Sequence, residues 1–136
     1  MIEYHDIWIL KAESDLRMSE VAISQDVPIT DGAIFHTQQC AEKALKGWLA
    51  FKRAEIKKTH NLTELVAQCA VFDSDFETLL LDADDLKPHA TKFRYPDDFG
   101  EIDDLSQFFP DVEVVEEAII KAKRILDFVK AKIQYV

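Results

Sequence analysis

Glycine and proline are scarce, with three and four residues in a chain of 136. Strands joined by tight turns depend on Gly, Pro, Asn and Asp at fixed turn positions, so this scarcity weighs against an all-β fold. Nowhere do apolar residues run for the roughly 20 positions that cross a bilayer. The opening MIEYHDIWILKAESDLR has charges inside its short apolar patch, where a secretory signal peptide has none. A soluble, cytoplasmic protein without membrane contact is predicted. Cysteine occurs only as Cys40 and Cys69, neither with a C-x-x-C companion. That excludes a zinc ribbon and a thioredoxin-like redox motif, and predicts two buried free thiols. Basic charge is also in deficit: 16 Lys and Arg stand against 26 Asp and Glu, a net charge of −10. A general nucleic-acid binder gathers Lys and Arg, so any contact with nucleic acid here must be local.

What is present is helical material. Apolar residues make up 48% of the chain, enough for one core, and a single domain spanning 1–136 is expected. The first breaker-free stretch, from Glu3 to about Gln25, places Trp8, Ala12, Leu16, Ser19 and Ile23 on one helical stripe. Val27-Pro28-Ile29-Thr30 interrupts it, and Thr30 or Asp31 is the expected cap of a second helix running to about Lys52. The apolar positions of this second helix cover more than one stripe, which suits a central helix with neighbours on two sides. A third helix is expected from a cap at Asn61 or Thr63 to near Asp73, and a fourth from a cap at Ser74 until Pro88 breaks or kinks it. A shorter helical piece follows to about Phe93. Residues 94–110 read as a long acidic loop, and a last helix spans Asp111 to Gln134 with Val115, Ile119, Ala122, Leu126, Val129 and Ile133 forming its seam. The fold class predicted is all-α.

Charge is unevenly placed along the chain. From Glu42 to His60 lie Lys43, Lys46, Lys52, Arg53, Lys57 and Lys58 against only Glu42 and Glu55, whereas Asp73 to Asp104 is strongly acidic. Such a basic island either attracts a phosphate, helped by the exposed amides that open the third helix, or is a solvated face matched to an acidic one. A second polar feature is the stripe His36, Gln39 and Lys43, which would line a nucleotide pocket or hydrogen-bond across an interface. The histidines His5, His36, His60 and His89 fall in separate segments without paired ligand spacing, so neither a metal site nor another cofactor is expected. Asp97, Asp98, Asp103 and Asp104 lack the Gly and terminal Glu of an EF-hand loop.

Two segments together resemble the HEPN family: Ala33-Ile-Phe-His-Thr-Gln-Gln-Cys-Ala-Glu-Lys-Ala-Leu-Lys46, then Ile56-Lys-Lys-Thr-His-Asn-Leu-Thr-Glu-Leu65. Trp8, Ala12, Asp15 and Leu16 ahead of them, and Ala90-Thr-Lys-Phe-Arg-Tyr-Pro-Asp97 behind, extend the resemblance over nearly the whole chain. It implies an up-and-down bundle of four to five helices that commonly pairs as a homodimer and is often encoded beside a minimal nucleotidyltransferase, its partner in a toxin-antitoxin type pair. Family members are described as nucleotide-binding modules or as ribonucleases acting as toxins. The family's ribonuclease motif sets an Arg a few residues before a His, and here Arg53 and His60 have that relation, with six residues between them. An imidazole can move the proton of a ribose 2′-OH while a guanidinium stabilises charge on the phosphate. Ala54 follows Arg53 where the motif has a polar residue, and no Tyr follows His60. The preferred expectation is a nucleotide- or partner-binding module whose anion site draws on Lys57, Lys58, His60, His36, Gln39 and Lys43. The alternative is a metal-independent endoribonuclease using Arg53 and His60.

Overall fold

The computed structural model describes residues 1–96, 101 and 104–134. Five helices form the bundle: α1 (Tyr4–Ile23), α2 (Thr30–Phe51), α3 (Leu62–Ala70), α4 (Leu80–Leu86) and α5 (Val112–Ile133). Short 3₁₀ segments at Ser74–Leu79, Lys87–Ala90 and Leu105–Gln107 link them, and the described residues contain no strand. The fold is therefore all-helical, as the composition and periodicity predict, and is the up-and-down bundle that the resemblance implies.

Helix α2 is the centre. It packs against α1, α3, α4 and α5, and Ala33, Ile34, Ala41, Ala44, Leu45 and Leu49 along it are wholly or almost wholly buried. Small residues let α1 come close. A β-carbon placed on Gly47 would lie 2.9 Å from Ile9 Cδ1 and 3.4 Å from Trp8 Cβ, so a side chain there would have to push the end of Ile9 aside. Ser19 of α1 ties the same pair higher up by donating its hydroxyl to the Ala33 carbonyl at 2.7 Å. At the other side Trp48 stacks on Phe76, with centroids 4.9 Å apart, and its indole N–H donates to the Cys69 carbonyl at 3.3 Å. Both cysteines are buried and unbridged, and burial pushes each thiol well above its ordinary range. They are packing residues, with little thiolate to react.

Some boundaries differ from the expectation, each for a local reason. The residue before α2 is Ile29, with no side-chain cap; Thr30 and Asp31 already lie inside the helix. Helix α3 starts from Asn61, whose side chain accepts the Glu64 amide at 3.2 Å, and it ends at Ala70. Asp73, rather than Ser74, caps the next segment, its carboxylate accepting the Asp75 amide at 3.0 Å. Pro88 does mark the break that was expected: α4 stops at Leu86, and the proline falls in the first turn of a 3₁₀ segment where its missing amide proton costs nothing. Much of the expected acidic loop, including Asp97, Asp98 and Asp103, lies outside the described residues; the described Asp104 holds the start of a 3₁₀ turn by accepting the Ser106 amide at 2.8 Å.

Candidate nucleic-acid interface

Polar residues recur at every turn of one side of α2. Gln38, Glu42 and Lys46 stand one helical turn apart and are all buried. Buried polar groups must find partners, and these find one another. Lys46 Nζ donates to Glu42 Oε2 at 3.1 Å, and Gln38 Nε2 donates to Glu42 Oε1 at 3.2 Å. The same Gln38 amide reaches the His60 carbonyl at 3.0 Å, which fastens the loop after α2 back against the helix. Gln39 donates in turn to Gln38 Oε1 at 2.7 Å.

His60 completes the network from outside. Its Nδ1 lies 2.8 Å from Glu42 Oε1. A carboxylate only accepts, so Nδ1 carries the hydrogen and Nε2 is the ring atom turned away from the protein. The contrast in exposure is large: the His60 side chain is 71% exposed while that of Glu42 is 5% exposed. A buried carboxylate thus orients an exposed imidazole, the arrangement that prepares a histidine to give or take a proton.

A second polar cluster joins α1 to α2. Asp15, buried on α1, receives His36 Nδ1 on one oxygen at 2.7 Å and Lys43 Nζ on the other at 2.6 Å. The sequence stripe of His36, Gln39 and Lys43 is therefore divided, with His36 and Lys43 on Asp15 and Gln39 on the Glu42 network. Lys43 and Lys46, counted by sequence with the basic island, have their charge matched inside the bundle.

The rest of the island stays open. Lys57 and Lys58 are exposed on the loop between α2 and α3, and neither has a carboxylate partner among the described residues. Elsewhere the cations are mostly paired, as Arg124 is with both oxygens of Asp82 at 2.8 Å and Lys132 is with Asp73 and Asp75. Arg53 is at the turn that ends α2, in left-handed backbone at φ 57. Its amide donates to the Ala50 carbonyl and the Ala54 amide to that of Leu49, closing the helix end as a glycine usually does. About 13 Å of helix rise separates Glu42 from Phe51. Arg53 lies beyond that end, while His60 is held back at Glu42, and no hydrogen bond or ion pair joins the two among the described residues. His60, Lys57 and Lys58 share one loop; Arg53 marks its start.

Asp15, Gln38, Glu42 and Lys46 are the organising residues that sequence reasoning did not single out as a site. For Gln38, Glu42 and Lys46 the signal was present, because polar residues at intervals of four on the central helix must either face solvent or pair in the interior.

A family model described as the HEPN domain matches residues 5–132. The chain belongs to the HEPN family. Among curated proteins it is similar to "Putative toxin MJ1304" of Methanocaldococcus jannaschii, 28% identical over 95% of this chain and 88% of that protein. Among solved structures, ST0689, an archaeal HEPN homologue, is 33% identical with a TM-score of 0.72, covering 98% of this chain and 99% of that one. TT1696 from Thermus thermophilus is 28% identical with a TM-score of 0.82, covering 96% and 99% respectively. These likenesses extend over both polar clusters and the basic loop together. No described helix is long and apolar enough to cross a membrane, and the described residues hold no cluster of three or more His, Cys, Asp or Glu able to bind a metal ion.

Proposed function

We propose that this HEPN protein is a toxin-type, cytoplasmic RNA-binding module that works through the loop between α2 and α3. The observation that carries this reading is the pair of exposed cations Lys57 and Lys58, without a carboxylate partner among the described residues, beside an exposed imidazole held by Glu42, on a chain whose net charge is −10. Phosphates would be drawn to this loop by the charge of Lys57 and Lys58, beside His60. The Asp15 cluster with His36 and Lys43 serves this reading as scaffold, since it fixes α1 against α2 beneath the loop. Pairing of two copies, and association with a nucleotidyltransferase, belong to the same proposal and rest on family membership.

A second reading, metal-independent RNA cleavage, is favoured by one feature: the Glu42–His60 contact at 2.8 Å gives the histidine the fixed orientation a general base or acid needs. Two assays on the same protein decide between them. Binding of a labelled RNA should be strong in the wild type and lost in Lys57→Glu with Lys58→Glu. Incubating that RNA with protein in chelator then asks whether cleavage occurs. Cleavage abolished by His60→Ala, with binding kept, makes the protein a ribonuclease. Binding without cleavage leaves it a module, and no binding by the wild type removes the proposal.

A further inference from the structure

Where α1 begins and α2 ends, a cleft of about 440 Å³ opens at the start of the basic loop, within the size range of small-ligand sites. Glu3, Tyr4 and His5 line it from α1, and Phe51 and Arg53 from the end of α2. Neither the Glu42 network nor the Asp15 cluster reaches it. Its chemistry is aromatic and cationic. Tyr4 is 62% exposed and meets Trp8 in a T-shaped contact at 6.1 Å, so the ring is braced on Trp8 and otherwise largely open. Phe51 is more enclosed: Trp48 stacks on it at 5.7 Å, the His5 ring stands edge-on to it at 5.0 Å, and the Lys52 ammonium sits 5.6 Å from its ring centre. Arg53 brings the cleft a guanidinium without a carboxylate partner among the described residues, from a backbone conformation that a glycine would adopt more easily.

We infer that this cleft receives one unstacked base of a single-stranded RNA, with the base against Tyr4 and the adjoining phosphate on Arg53. The inference rests on the RNA-binding reading above and says where the strand enters the basic loop. An exposed aromatic ring beside a guanidinium fits a splayed base and its phosphate, because every base has a π-face to stack and every linkage a charge to pair. A duplex keeps its bases stacked on one another, so it presents nothing for this ring to take. The Glu3 carboxylate at the other wall repels a phosphate and so keeps the strand's charge on the Arg53 side.

Fluorescence anisotropy with a short labelled single-stranded oligoribonucleotide tests the assignment. Tyr4→Ala changes an exposed ring, leaves the fold intact, and should weaken binding about five-fold or more by loss of one stacking contact, with the salt dependence unchanged. Arg53→Gly should also weaken it, while lowering the slope of log K against log salt by about one phosphate contact. Glycine suits φ 57, so the thermal midpoint of that variant should not fall and weaker binding cannot be charged to unfolding. Glu3→Gln should strengthen binding. Duplex RNA of the same sequence should bind Tyr4→Ala and wild type alike. If Tyr4→Ala and Arg53→Gly bind the single strand as wild type does while Lys57→Glu with Lys58→Glu does not, the cleft is not the base site and the loop remains the RNA surface. If the wild type does not bind the strand at all, the underlying reading and this inference fall together.

Discussion

Glu42 is the residue on which the interior of the site depends. Its carboxylate serves Lys46, Gln38 and His60 at once, and Lys46 is almost as buried as Glu42 itself. Removing one partner of a buried pair strands the other charge in a medium that cannot solvate it. Glu42→Ala should therefore cost about 3–5 kcal/mol in denaturant unfolding. Replacing both charges, Glu42→Gln with Lys46→Met, should cost much less, since no buried charge is then left alone; a double variant as unstable as Glu42→Ala would show that packing, not charge, is lost. Sequence reasoning reached His60 and the open lysines, because their type and clustering are visible along the chain. It did not reach Glu42 as the orienting group, since which of several carboxylates turns inward depends on the packing of α2 against the returning loop, and the sequence does not display that packing. Lys43 and Lys46 show the same limit from the other side: grouped with the island by sequence, they are drawn to Asp15 and Glu42 by the fold.

At the scale of elements, the helix ends carry the local information. Asn61 caps α3 through the Glu64 amide and also accepts the Thr63 hydroxyl at 2.8 Å, and Thr59 Oγ1 accepts the Asn61 amide at 3.1 Å. Asn61→Ala should lower stability by about 1 kcal/mol, read as a fall in the denaturant midpoint with the unfolding slope unchanged. The cap at Asn61 was one of two that the sequence offered, and the last helix was legible throughout, because its seam repeats over many turns and α5 buries Val115, Ala122, Leu126 and Val129 of it. Helix α4 was less legible. A pattern read as one helix from Ser74 is divided into a 3₁₀ segment and two turns of α-helix, since Asp73 captures the first amide and the short chain must place Phe76 and Leu79 in the core.

For the molecule as a whole, His89 links stability to pH. Burial, followed by the nearby Lys92 and Lys121, depresses its pKa from 6.5 to about 4, with Asp85 opposing. The folded state thus favours the neutral ring, while the unfolded chain takes up a proton near 6.5. This contribution is fully present above pH 6.5 and is lost progressively as pH falls toward about 4. The urea midpoint should decline across that window and His89→Gln should flatten the decline; an unchanged pH profile in the variant would show that other groups govern it. Asp73, held below its ordinary value first by its hydrogen bond to Lys132, acts only at more acid pH, so the two effects separate.

The proposed RNA surface rests on the whole charge distribution, an open basic loop on an acidic bundle. Single-stranded RNA affinity measured against salt concentration tests it most directly, in wild type and in Lys57→Glu with Lys58→Glu, with thermal midpoints taken alongside. Log affinity of the wild type should fall linearly with log salt, as counterions released from the strand are counted against it. The double variant should lose binding at every salt concentration while its thermal midpoint stays near that of the wild type, because both side chains are exposed. Equal affinity in the two proteins, or binding indifferent to salt, would contradict the assignment of this loop as the RNA surface.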